Sequence, residues 1–214
     1  MPKPRILLAM ITVGNGHKAP ADAIKAGIEK LYPGQFEIDV LDFTLAVGDE
    51  DFDKRHKESW DWMLENPKFA YWGQLFMDKA LPASAARFVQ GQMVADHAKN
   101  AAKFVKEKKY DLLVATHFFT IRALAIAKQK YGVEAPLVGV NTDPFDAHSL
   151  WAEKRATEMI VSSRLAKKGM IEKGVPGSKM KLFGYPLGLR FINSPLTKQE
   201  ARAKLGLDPL KLTV

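Results

Sequence analysis

The segment from Arg5 to Ile11, Arg-Ile-Leu-Leu-Ala-Met-Ile, is apolar at every position after the first, and Gly14-Asn15-Gly16-His17 follows two residues later. Uninterrupted apolarity, in place of alternation, is the pattern of a parallel strand buried on both faces. Parallel strands must be joined by crossovers, usually helical, so this one run commits the chain to repeated strand-helix-strand units. The rest of the sequence supplies them. A helix is predicted from about Ala19 to Leu31: Pro20 suits its first turn, Ile24, Ile28 and Leu31 recur at helical spacing, and Pro33-Gly34 ends it. Residues 36–42 alternate as a second strand, and apolar runs at 111–116, 136–141, 158–161 and 179–183 continue the beat, with helical segments near 119–131 and 163–173. The expectation is an α/β fold, a Rossmann-like doubly wound parallel sheet with helices on both faces.

Two stretches break the beat. Residues 51–109 lack a clear strand and carry Trp60, Trp62, Met63, Phe69, Tyr71, Trp72, Leu75, Phe76 and Met77 ahead of a long helical run from about Ala83. They read as a helical insertion whose large side chains either pack as core or form a surface that dips into a bilayer or holds an acyl chain. At the other end, Thr197-Lys-Gln-Glu200 is a capping box, Gly206 can end the short helix it opens, and residues 210–214 look like a strand just starting. The expected organisation is a domain over 1–195 and, over 196–214, a linker helix leading toward a further domain.

Composition excludes several classes. Without cysteine there are no disulfides, thiolate zinc sites or cysteine nucleophiles, which fits the cytosol. The apolar run at 6–13 is far short of the roughly 20 residues a spanning helix needs, has no cleavage pattern after it, and has no longer counterpart later, so membrane contact is expected to be peripheral. The net charge of +8 sits in the second half: residues 1–100 hold 12 basic and 14 acidic side chains, residues 101–214 hold 20 and 10. That surplus suits a solvated surface, or anionic lipid headgroups at about 1 kcal/mol per basic residue near the surface. No nucleic-acid motif accompanies it, so no nucleic-acid partner is expected.

The residues with chemistry cluster where the predicted strands end. Gly14, Asn15 and Gly16 fall between the first strand and first helix, where glycines admit a ligand to the backbone and free helix N–H groups favour negative charge. The dinucleotide fingerprint is absent, since Ala19 stands where its third glycine belongs. His17 titrates near neutrality and is placed to take a hydroxyl proton; its other reading is a histidine that caps the turn. The third strand ends in Thr116-His117-Phe118, the fourth in Asn141-Thr142-Asp143 with Asp146 and His148 beyond. These groups are expected to share one crevice with His17 at the topological switch point. Their alternative uses are strand-end capping, turn formation by Asp143 and Asp146, or a divalent metal, for which no compact histidine spacing speaks. His56 and His97, inside the insertion, are assigned no role.

Taken together, Gly14 to Ala21, Thr116-His117-Phe118, Thr142-Asp143 with His148 and Trp151, and Gly184-Tyr185-Pro186 resemble the N-terminal domain of monogalactosyldiacylglycerol synthases and bacterial processive diacylglycerol glucosyltransferases. The resemblance runs along nearly the whole chain. It implies the N-terminal half of a GT-B fold, two Rossmann-like domains facing a cleft, with the UDP-sugar donor held by a C-terminal domain not contained here. It implies transfer of a hexose to diacylglycerol or a related glycolipid without a metal or other cofactor, and peripheral association with an anionic membrane on its cytoplasmic face. His17 becomes the candidate base and Asp143 a second catalytic residue. Gly14, Asn15, Gly16, His117, His148 and Trp151 would line the acceptor cleft, and Trp60, Trp62 and Trp72 would touch the membrane. Two other classes remain: a GT-B-like UDP-sugar 2-epimerase, against which the aromatic insertion argues, and a non-enzymatic membrane or ligand-binding module, which would need no cleft histidine.

Overall fold

The computed structural model describes residues 2–76, 82–145, 147–192, 196–208 and 211–212. Met77 and Asp146 lie outside the described residues, as do Leu210, Thr213 and Val214 of the expected terminal strand. Six parallel strands run in the order β2-β1-β3-β4-β5-β6: β1 Arg5–Met10, β2 Glu37–Asp42, β3 Leu112–Ala115, β4 Leu137–Val140, β5 Glu158–Val161 and β6 Met180–Leu182. The crossover helices are α1 Lys18–Leu31, α7 Phe118–Tyr131 and α8 Arg164–Glu172, and α9 Leu189–Ile192 and α10 Lys198–Lys204 follow β6. Between β2 and β3 lie α2 Phe43–Ala46, α3 Glu50–Glu65, α4 Pro67–Leu75, α5 Ala83–Met93 and α6 Ala95–Lys108. Each apolar run of the sequence is a strand within a residue or two of its predicted ends, and the insertion is helical among the described residues.

Strand alternation divides the core. Leu7, Ala9, Leu113, Ala115, Leu137, Met159 and Val161 face one way and pack with α6, α7 and α8. Ile6, Leu8, Met10, Val114 and Val140 face the other way, where Ala21, Ile24 and Ile28 of α1 meet them. Burial on both faces explains why β1 reads as a continuous apolar run, whereas the edge strand β2 keeps half-exposed residues and alternates. In α7, Phe119 through Ala127 are all buried, because the helix is packed between the sheet and α5 and α6. The chain turns back between β1 and β3, whose connections leave in opposite directions along the sheet. Their carboxyl ends therefore flank the crevice where α/β sheets bind ligands.

Four loops converge on that crevice. The predicted capping box at Thr197 and Glu200 is present at the start of α10, and its helix is exposed.

Candidate active site

The loop after β1 carries Gly14 at φ +64°, a left-handed turn that lets the chain swing from the strand into α1. The amide of Thr12 donates to Asp42 at the end of β2, which ties the loop to the sheet. His17 occupies the N-cap position of α1, yet its side chain makes no capping bond. Its ring crosses to the neighbouring strand: Nδ1 lies 2.7 Å from the carbonyl oxygen of Thr116 and 3.2 Å from the hydroxyl of Thr142. A carbonyl can only accept, so Nδ1 carries the proton and Nε2 keeps its lone pair. The Thr116 hydroxyl donates in return to the His17 carbonyl at 2.8 Å, so strand and loop hold each other.

His117, at the end of β3, has the opposite tautomer. It caps α7 by accepting the Phe119 amide at Nδ1 over 3.2 Å, which leaves the proton on Nε2. That Nε2 lies 3.4 Å from Nε2 of His56, which accepts. The three imidazoles are in contact, with His17 and His117 centroids 4.4 Å apart and His117 and His56 5.1 Å apart. Burial drives all three below the ordinary histidine pKa of 6.5, and for His56 and His117 repulsion from neighbouring imidazoles adds to it. His56 falls to about 4 and His117 falls well below 6.5. His17 is lowered by burial first, with the Thr116 carbonyl and the Asp143 charge opposing and His148 assisting. Near pH 7 the trio is neutral, and His17 is the most exposed residue of the three.

His56 carried no motif in the sequence. Tertiary docking brings it here: Lys57, one residue on, pairs with Asp53 at 2.7 Å and Asp42 at 3.4 Å, and Thr44 hydrogen bonds to both carboxylates. This network seats α3 against the end of β2. His97 stays outside the site; it is buried against Asp49, 3.2 Å away, at the N-cap of α3.

The loop after β4 brings Asp143, His148 and Trp151. Asp143 accepts the indole N–H of Trp151 at 2.7 Å and lies 3.5 Å from His148. It makes no hydrogen bond to His17, so the Thr116 carbonyl, not Asp143, orients that ring. Two expected cleft residues differ from the prediction. Trp151 and His117 are each 1% exposed, so neither offers a surface to a ligand. Strand-end position fixes which side of the sheet a residue occupies, not its depth; here Trp151 fixes Asp143 and His117 caps a helix. Gly14, Asn15 and Gly16 are exposed above the crevice. The Tyr185 hydroxyl donates to the Gly16 carbonyl at 3.2 Å, and burial and Asp143 raise its pKa. Thus Gly184-Tyr185-Pro186 closes over the loop, a contact that local pattern could not reveal. Among the described residues no three His, Asp or Glu side chains are arranged to hold a metal ion.

Beside the histidines lies a cavity of about 520 Å³ between α3, the end of α5 and the start of α7. Phe52, Trp60, Met63, Met93, Phe119 and Leu150 line it, with His56, Arg55 and Ser59 as its polar members. Trp60, expected at a membrane, is half-buried and packs against the core here. Trp62 and Trp72 are exposed, at 46% and 65%, together with Phe69, Tyr71 and Phe76. No residue of α4 is buried, so its aromatics are surface. No helix among the described residues is long and apolar enough to cross a membrane.

The strand order, with a histidine between β1 and β3 and an apolar cavity beside it, defines an α/β domain of the doubly wound class. Its family follows from comparison with known proteins. Residues 17–187 match the model of the monogalactosyldiacylglycerol (MGDG) synthase family, and the chain belongs to that family. The chloroplastic monogalactosyldiacylglycerol synthase of Spinacia oleracea is 24% identical over 95% of this chain and 39% of its own length. A processive diacylglycerol beta-glucosyltransferase of Staphylococcus epidermidis is 30% identical over 51% of this chain and 27% of its own. The chain thus spans about two-fifths of the plant relative it matches. Among solved structures, the apo form of the lipopolysaccharide outer core galactosyltransferase WaaB aligns with a TM-score of 0.49 at 15% identity, over 83% of this chain and 44% of that one.

Proposed function

We propose that this chain is the acceptor-binding, N-terminal half of a GT-B glycosyltransferase that transfers a hexose from a UDP-sugar to diacylglycerol or a related glycolipid at the cytoplasmic face of a membrane. The observation that carries the reading is the tautomer of His17. Thr116 holds the proton on Nδ1, so Nε2 is left to accept one on the ligand side of the sheet.

In the proposed reaction the acceptor hydroxyl oxygen attacks the anomeric carbon of the donor sugar as the bond from that carbon to the UDP oxygen breaks. The hydroxyl proton passes to His17 Nε2, and UDP departs as the anion. Burial serves this step by lowering the pKa of His17, so the ring is unprotonated and ready near neutral pH. Asp143 supports the imidazolium that forms, since its charge is the one carboxylate acting to raise the His17 pKa. The apolar cavity beside His56 suits an acyl chain of the acceptor, and the exposed aromatics of α3 and α4 suit the bilayer boundary. Residues 1–195 form the acceptor domain in this reading and 196–214 begin the link to the donor domain, which would stabilise the leaving diphosphate.

His17→Ala in the full-length enzyme tests it. Transfer should fall by about 100-fold or more in kcat, with UDP affinity retained. Transfer at the wild-type rate would return His17 to a structural role.

A further inference from the structure

Gly184-Tyr185-Pro186 has no part in the proposed reaction, yet it touches the loop that carries His17. β6 is the far edge of the sheet, with β5, β4 and β3 between it and β1. The segment leaving β6 therefore crosses the ligand side of the sheet, and α9 beyond it approaches α1. Its course is set locally. Gly184 takes φ +82°, a conformation that favours glycine, and nothing lies within 4 Å of where a Cβ would stand, so the requirement is conformation and not room. Pro186 biases the residue before it toward extended backbone. Tyr185 is thus confined from both sides, and its hydroxyl donates to the Gly16 carbonyl at 3.2 Å. Burial first, and the Asp143 charge second, raise the pKa of that hydroxyl, so it stays a donor near neutral pH.

The loop after β1 has little else to order it. Gly14 and Gly16 are exposed, and a Cβ on either would meet nothing within 4 Å, so packing does not confine them. Glycine backbone is also the freest to move. Among the described residues, the bond from Tyr185 is the one hydrogen bond that reaches Gly14, Asn15 or Gly16 from a distant part of the chain; the other is local, from the Ala19 amide to the Asn15 carbonyl. His17 is held on its far side, where Thr116 accepts from the ring and donates to the His17 carbonyl. The peptide in front of it is planar, so fixing the Gly16 carbonyl fixes the plane from which His17 departs.

We propose that Tyr185 is a positioning residue for His17: its hydroxyl fixes the Gly16–His17 peptide and so aims Nε2 into the crevice in a single orientation. The proposal rests on the reading of His17 as the base. Thr116 sets which nitrogen carries the proton, and Tyr185 sets where the other one points.

Tyr185→Phe removes the hydroxyl and keeps the ring, and at a half-buried position it should melt with the wild type. Backbone ¹⁵N relaxation of this chain reads the loop without any sugar transfer: order parameters at Asn15 and Gly16 should be near the ~0.85 of rigid backbone in the wild type and below ~0.6 in the variant. In the full-length enzyme the same change should lower kcat for transfer about tenfold with KM unchanged, since aiming the base matters in the transition state alone. Added to His17→Ala it should cost nothing more, because no base is left to aim. Unchanged order parameters, or a tenfold loss that persists on top of His17→Ala, would overturn the proposal and leave His17 as the base. Transfer by His17→Ala at the wild-type rate would instead overturn the reading on which it rests.

Discussion

At the carboxyl edge of the sheet Trp151 is 1% exposed and its indole N–H is paired with Asp143, whereas in α4 Trp72 is 65% exposed and packs beside an equally exposed Tyr71. The two tryptophans have the same chemistry and opposite surroundings. At the sheet edge aromatic rings enclose titratable groups, remove them from water and hold histidines neutral. In α4 the aromatic rings are exposed and face outward. The difference separates two tasks that one lipid glycosyltransferase would need: a dry place for proton transfer, and an apolar face toward the phase that holds its acceptor.

Substituting the two tryptophans tests the contrast most severely. Trp151→Ala should destabilise the domain by about 3–5 kcal/mol, as large core truncations do, and free Asp143 from its donor. Trp72→Ala should stay within about 0.5 kcal/mol in chemical denaturation. The surface variant should instead weaken sedimentation with phosphatidylglycerol vesicles, more so when combined with Trp62→Ala, at salt concentrations that screen the basic second half. Equal losses of stability would erase the distinction between the regions.

Acid should then weaken the sheet edge selectively. The folded pKa of His56 is about 4 against 6.5 when unfolded, so folding favours its neutral form. The stability this contributes is complete above pH 6.5 and declines as pH falls toward 4. By pH 5 about 2 kcal/mol should be lost through His56 alone, with His117 adding in the same direction. Melting temperatures at pH 7.5 and 5.0 check this, and His56→Gln should flatten the dependence.

Smaller effects are expected from the charges around His17. Asp143 raises its pKa and His148 lowers it. The acid limb of the pH–rate profile in the full-length enzyme, itself below pH 6.5, should therefore move to lower pH in Asp143→Asn and to higher pH in His148→Gln. The amide introduced by Asp143→Asn keeps an oxygen to accept the Trp151 N–H, so the change removes charge and spares that contact. Unmoved limbs would separate His17 from the titration that governs transfer.

Much of the sheet was legible because burial on both faces leaves an unbroken apolar run, as in Ile6 to Ile11, and a Gly-x-Gly-His directly after such a run marks a strand end. His17, Asp143 and His148 could be placed near one another on that ground. His56 could not, since it reaches His117 only through the docking of α3 by the Asp42, Asp53 and Lys57 network, which joins residues from two elements. Depth was equally hidden: His117 and Trp151 share the strand ends with exposed neighbours, and periodicity carries no information about which loop residue folds inward. In α4, Phe69, Tyr71 and Trp72 cover too much of the helix surface for spacing to tell a buried face from an open one.

The central claim is that the crevice between β1 and β3 holds a neutral imidazole whose Nε2 is available to a hydroxyl proton. Long-range ¹H–¹⁵N correlation of the imidazole rings in this chain at pH 7 reads it directly. His17 should appear neutral with its proton on Nδ1, and His117 neutral with its proton on Nε2, as their bonds to the Thr116 carbonyl and the Phe119 amide require. A His17 ring protonated on Nε2, or doubly protonated at that pH, would contradict the account.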